Sequence, residues 1–157
     1  MLSKFWKKLQ IIEIDVFIYR ITENDLTVFP DIGYTIQTET ISKNKIKYFI
    51  VEKGISIHNC FLFSNIYLLG LINKKGPVLG DGFTRPEYRG KSILPFVISY
   101  IVNKMVFDEN MKEVFIIINT SNLSSIAGVE KTGFKRYASI TASRWLWFYF
   151  DKNIVIY

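Results

Sequence analysis

Apolar and polar residues alternate along EIDVFIYRI at 13–21, the period of a strand with one face against a core. NDL after Glu23 marks a turn or short helix, and GYTIQTET at 33–40, alternating and β-branched, predicts a second strand. ISKNKIKYF at 41–49 predicts a short helix that turns Ile41, Ile46 and Phe49 inward. Two runs of strand-forming residues, GISIHNCFLF at 54–63 and NIYLLGLI at 65–72, predict a tight hairpin followed by an NKKG turn at 73–76. PVLGDGFT at 77–84 predicts a strand whose glycines signal a bulge or a close backbone approach.

The period then changes. Leu94, Val97, Ile98, Ile101 and Met105 recur at helical spacing, one buried face of a long helix that starts behind TRPEYRGKS. EVFIIIN at 113–119 is continuously apolar and of strand length, as suits the interior of a sheet covered on both faces. In NLSSIAGVEKTGF, Asn122 is of a helix-capping type and Gly133 stands where a helix end uses glycine. RYASITASRWLWFYFDKNIVIY supplies two more strands, broken at 151–153. The sum is a largely antiparallel sheet followed by a strand, helix, strand, helix, strand unit: an α+β or α/β sandwich.

At 157 residues, 49% of them hydrophobic, the chain suits one domain over 1–157. No apolar run reaches the roughly 18 residues of a membrane span. MLSKFWKKLQII meets Glu13 and Asp15 too soon for a signal peptide, so a soluble, cytoplasmic protein is expected. Phe5, Trp6 and Leu9 beside Lys4, Lys7 and Lys8 make a short stretch of membrane-surface character. With Cys60 the only cysteine and His58 the only histidine, the chain lacks an internal disulfide, the usual zinc ligand sets and a histidine-dependent triad.

The formal charge of +6, from 20 Lys and Arg against 14 Asp and Glu, favours an anionic partner. A nucleic-acid-binding domain is one reading of that charge. Against it, the basic residues are scattered and no nucleic-acid motif is visible, so no nucleic acid is expected. A phosphorylated small molecule fits as well.

The stretch RGKSIL places basic side chains at the start of the apolar helix. Unpaired amides and the positive end of the helix dipole attract phosphate there, and Arg89 and Lys91 add charge. With Ser92 as N-cap, Pro95 falls in the first turn, where proline is tolerated. The plain alternative is an ordinary capped helix start with solvated charges.

The order strand, PEYRGKSI, long helix, apolar strand, asparagine plus short helix, KTGF, strand resembles the GNAT superfamily of N-acetyltransferases over about 77–137. Arg89 and Gly90 match the family's Q/RxxGxG/A turn in its YRGKG form, and Asn122, Ser125, Lys131, Gly133 and Phe134 match its second segment. The resemblance implies a mixed, mostly antiparallel sheet with a central acetyl-CoA-binding unit, and acetyl-CoA as co-substrate without a metal. It implies transfer of an acetyl group from acetyl-CoA by direct attack of the acceptor's primary amine, the acceptor being a small amine, an amino sugar or a peptide.

By the same resemblance Arg89, Gly90, Lys91 and Ser92 hold the pyrophosphate, and Asn122 and Ser125 line the pantetheine arm. The amides near Phe83 and Thr84 polarise the thioester carbonyl. Asp81 is the best-placed general base and Glu39 a weaker one. Three residues depart from the pattern: Ser92 replaces a glycine, Leu94 a glycine or alanine, and Val129 a tyrosine that protonates the departing thiolate. They motivate the alternative of a catalytically degenerate protein that binds CoA or another anion without turnover.

Each side chain also has a structural reading. Asn122 is a competent cap, Gly133 a helix end, Phe134 core, and Asp81 a turn or bulge residue beside Gly82. His58 reads as a strand residue with a satisfied partner, or as an acceptor-side base; Cys60 reads as a small buried apolar residue. RWLWFYF alternates Trp145, Trp147 and Tyr149 with Leu146, Phe148 and Phe150, which predicts core packing on both faces; a homodimer surface or an aromatic acceptor wall is the alternative.

Overall fold

The computed structural model of the chain describes residues 10–27 and 29–157, so the stretch with Phe5, Trp6 and Leu9 lies outside the described residues. The strands are β1 (Ile12–Thr22), β2 (Gln37–Ser42), β3 (Lys45–Glu52), β4 (Ile55–Phe63), β5 (Val78–Thr84), β6 (Glu113–Asn119), β7 (Lys135–Trp145) and β8 (Phe148–Ile156). The helices are α1 (Tyr67–Gly70), α2 (Ile93–Asn103), which continues as a wider turn over Lys104–Asp108, and α3 (Leu123–Glu130). All eight strands join one sheet in the order β2-β3-β4-β5-β6-β1-β7-β8. Every neighbouring pair is antiparallel except β5 and β6, which run parallel.

The alternation along the central strands divides the core in two. Tyr19, Ile21, Leu79, Val114, Ile116 and Ile118 face α2 and α3, where Val97, Ile98, Ile101 and Val129 meet them. Ile18, Val78, Phe115 and Ile140 face the other way and pack with Leu69 and Ile72 of the α1 region. The uninterrupted apolar run of β6 follows from this double covering. Side chains at helical spacing on α2 and at alternate strand positions thus close the first layer, and the short α1 region closes the second.

Several boundaries differ from the sequence reading. Residues 41–49 are not a helix: β2 ends at Ser42, the chain turns at Lys43 and Asn44, and β3 begins at Lys45. Tyr48 and Ile50, both 1% exposed, show the two-residue period that governs this stretch. Residues 33–36 precede β2 rather than belong to it. NIYLLGLI is no strand; Leu69 and Ile72, three apart, are buried together by a short helical turn.

The last two strands are divided at Leu146 and Trp147, with Leu146 at φ 55, and not at 151–153. Asp151, at φ 50, sits within β8 where the pairing with β7 shifts register. The aromatic run is therefore not core on both faces. Trp145 is 42%, Trp147 72% and Phe148 57% exposed, because they lie at a hairpin tip whose outer strand ends the sheet. Tyr149 stacks on Tyr67 with ring centroids 4.8 Å apart.

Candidate functional site

The parallel pair β5 and β6 is in register only at Val78–Phe115 and Leu79–Ile116. Beyond these the two strands part, and a local irregularity in β5 explains why. In the pairing with β4, Asn59 opposes Phe83 and Phe61 opposes Gly80, so Asp81 and Gly82 together face the single residue Cys60. This is a bulge, and Asp81 takes its left-handed position with φ 51. A bulge bends its strand, and here it turns the end of β5 away from β6.

A cleft of about 240 Å³ fills the gap. One wall is Gly80, Asp81 and Gly82; the other is Ile116, Ile117, Ile118 and Asn119, with Cys60, Leu94, Ile98 and Val129 behind. Through Gly82, Leu94, Asn122 and Ser125, which border both spaces, it adjoins a larger cavity of about 510 Å³. That mouth is lined by Phe83, Thr84, Tyr88, Arg89, Gly90, Ser92, Pro95, Gly128 and Lys131 among others. The structure therefore gathers Phe83, Thr84, Arg89, Gly90, Ser92, Asn122 and Ser125 around one opening.

Two helix starts face that opening. Ser92 precedes α2 at φ 59 and ψ 20, and its side chain makes no capping hydrogen bond. The first bond of the helix runs from the Phe96 amide to the Ser92 carbonyl, 3.1 Å, while Pro95 has no amide. The amides of Ile93 and Leu94 thus have no helix carbonyl to bond, and they head a dipole whose positive end meets the mouth. Ser92 occupies the cap position without the capping contact that its residue type suggests.

At α3 the cap is made. Asn122 Oδ1 accepts from the Ser125 amide at 3.2 Å and from the Ser124 hydroxyl at 3.2 Å. Asn122 is a cap and a wall of both spaces at once. Gly133 also has a structural role: at φ +91 its added Cβ would lie 2.3 Å from the Asp25 carbonyl oxygen. Phe134 is core, 3% exposed.

The basic side chains divide. Arg89 Nε donates to the Thr84 carbonyl at 3.1 Å and Lys131 lines the mouth. Lys91 lines neither space; its Nζ lies 4.7 Å from the Tyr88 ring centroid. Thr84 is held from a second side. His58 Nδ1 is 2.8 Å from Thr84 Oγ1, while His58 Nε2 is buried without a hydrogen-bond partner among the described residues. Burial lowers the His58 imidazole from 6.5 to about 4, so it is neutral near neutral pH.

The two carboxylates differ in place. Asp81 borders the narrow cleft, its side chain 68% exposed and 3.9 Å from Lys45 Nζ. Glu39 lies on β2, at the far edge of the sheet, 3.7 Å from Lys47 Nζ. Burial pushes the Cys60 thiol up to about 12, which keeps it protonated and inert although it lines the cleft. No group of three or more His, Cys, Asp or Glu suited to a metal occurs among the described residues.

Sequence reasoning missed Gly128, Asn119 and the role of Leu94. A Cβ on Gly128 would stand 3.2 Å from Leu94 Cδ2, and one on Gly82 3.5 Å from Leu94 Cδ1. Leu94 is seated between two glycines, at the junction of both spaces. A glycine inside a helical pattern was the available signal for this close approach.

No family model matches the chain, and no curated protein sequence matches it. Solved structures do. A protein from Novosphingobium aromaticivorans, named as a candidate acetyltransferase of the GNAT family, superposes with a TM-score of 0.62 at 17% identity, over 85% of this chain and 65% of its own. A Drosophila protein solved as a structural-genomics target gives 0.58 at 12% identity, over 86% of this chain and 52% of its own. The chain spans about two thirds and about half of these neighbours' lengths. At such identities the likeness is one of fold: the mixed eight-stranded sheet is GNAT-like. No helix among the described residues is long and apolar enough to cross a membrane.

Proposed function

We propose that the chain is an N-acetyltransferase that moves an acetyl group from acetyl-CoA to a primary amine. The observation that carries this reading is the pair of adjoining spaces, a polar mouth of about 510 Å³ leading to a cleft of about 240 Å³ between two parting strands. A phosphorylated head on a thin, mostly apolar arm has that shape. Its pyrophosphate would lie at the start of α2, against the Ile93 and Leu94 amides, Gly90, Ser92 and the Arg89 guanidinium, with Lys91 adding charge from outside. Its arm would pass Asn122 and Ser125 into the cleft.

In this reading the thioester lies by the bulge, where the amides near Phe83 and Thr84 polarise its carbonyl oxygen. The incoming amine loses a proton to Asp81 and attacks the carbonyl carbon, and the thiolate departs. Bringing both reactants to one bulge lowers the entropic part of the barrier. The acceptor is a small amine, an amino sugar or a peptide amine.

One observation favours a second reading. Val129, 2% exposed, lines the cleft at the position where GNAT enzymes carry a proton-donating tyrosine. A protein that binds CoA without turnover would be built this way. Ser125, which borders both spaces, is the candidate acid in the catalytic reading.

Calorimetric titration with acetyl-CoA, beside the Arg89→Glu variant, tests the cofactor half. Affinity should fall about tenfold or more in the variant at low salt, since a charge-assisted contact becomes a repulsion. Unchanged affinity removes the phosphate assignment. CoA release over a panel of amines tests the catalytic half, and turnover with any of them defeats the second reading.

A further inference from the structure

Lys45 opens β3 on the face of the sheet that carries α1, since it packs on Phe63, which joins the core of that face. Its ammonium lies 4.0 Å from the Phe61 ring centroid and 4.8 Å from that of Phe63. It also lies 3.9 Å from Asp81 Oδ2. In the β4–β5 register Phe61 opposes Gly80 and Phe63 opposes Val78, so the lysine crosses β4 and ends over β5. The residue it reaches, Asp81, is the bulge that forms a wall of the narrow cleft.

Two aromatic faces and a carboxylate hold a cation well, which explains why an unbranched four-carbon side chain is drawn to one spot. The other lysines near the site are elsewhere. Lys131 lines the mouth and Lys91 rests on Tyr88, both at the α2 end, while Lys47 is tied to Glu39 and lies over Phe49. Among these it is Lys45 whose amine stands at the bulge.

We propose that Lys45 is a self-acetylation site, its Nζ attacking the acetyl-CoA thioester within the same molecule. The inference rests on the cofactor reading above. The ammonium first gives one proton to Asp81, which passes it to solvent. The nitrogen lone pair then forms the N–C bond at the carbonyl carbon, the C–S bond breaks, and the departing thiolate takes a second proton from that nitrogen. The products are an uncharged acetyl-lysine, CoA and one released proton. Acetylation removes the charge that holds the side chain between the two rings and against Asp81.

The test incubates the full chain with acetyl-CoA and follows intact mass, maps the acetyl group by peptide mass, and titrates acetyl-CoA binding calorimetrically on the same samples. The expected result is one acetyl group on Lys45, gained about tenfold or more faster than on other surface lysines, as proximity dictates. Its first-order rate should hold on dilution, and Asp81→Asn should slow it. Lys45→Arg should lose the label and keep the binding. Bound acetyl-CoA with label spread evenly over lysines, with an unchanged total in Lys45→Arg, or with a rate that falls on dilution overturns this inference and leaves the cofactor reading standing. Absence of binding overturns both.

Discussion

His58 should make the chain sensitive to mild acid. The ring is 1% exposed on β4, with Nδ1 against Thr84 Oγ1 and Nε2 facing no partner among the described residues, so a second proton would place an uncompensated charge in the core. Burial lowers its value from 6.5 to about 4. In the unfolded chain the ring titrates near its ordinary value, and between the two values only the unfolded state takes the proton. The stabilisation is therefore complete above 6.5 and is lost as pH falls towards about 4. The whole displacement corresponds to about 3 kcal/mol, and roughly 2 kcal/mol of it disappears between about pH 7 and about pH 5.

Urea unfolding at those two pH values reads this directly. With a slope of about 2 kcal/mol per molar, the midpoint should drop by about 1 M. Asp25, held below its ordinary 3.8 by hydrogen bonds from Lys135 and Thr22, adds a loss that sets in lower on the scale. His58→Leu separates the two: whatever its own stability, its midpoint should stay nearly level over the upper window. An equal drop in the variant and the wild type would refute the assignment to His58.

Two further outcomes follow from local geometry. Gly133→Ala should cost about 3 kcal/mol or more in thermal or urea unfolding, because its methyl would stand 2.3 Å from the Asp25 carbonyl oxygen at φ +91; a loss under about 1 kcal/mol would contradict that backbone path. Asn122→Ala should cost about 1 kcal/mol of stability through the lost cap, whereas Asn122→Asp keeps the cap and should still weaken acetyl-CoA binding by placing a negative charge beside its path; full affinity in Asn122→Asp would leave Asn122 a cap alone.

What could be read from the sequence was governed by how local each signal is. β1, β6 and α2 announced themselves because one period runs through the whole element and the core reads the same period. The stretch 41–49 misled because Ile41, Ile46 and Phe49 can be laid on one side of a helix, while the alternation that decides it continues through Tyr48 to Ile50. The run 65–72 is apolar and short, and such runs are strand or helix according to what covers them. The turn at Leu146 and Trp147 has no sequence mark at all, since leucine at positive φ is not a turn residue, whereas Asp151 to Asn153 carry turn chemistry and yet stay in β8, with a bulge at Asp151 and Lys152.

The site shows the same division. Arg89 and Gly90 stand in one short motif and Asn122 and Ser125 in a second, and the two motifs fell together around the mouth. The cleft was visible only as a pair of glycines, because it exists through lost pairing between strands far apart in the chain. Leu94 carries the point further. Read alone, a leucine in place of a glycine or alanine at the start of α2 is a defect that should fill the passage. In the fold its two methyls rest over Gly82 on β5 and Gly128 on α3; a Cβ at Gly128 would crowd them at 3.2 Å, and one at Gly82 would just touch at 3.5 Å. The bulk added at one position is matched by bulk withheld at two others, on elements 12 and 34 residues away from it in the sequence. Mouth and cleft still adjoin at Leu94, so the departure weighs less against the proposed cofactor site than the motif alone implies.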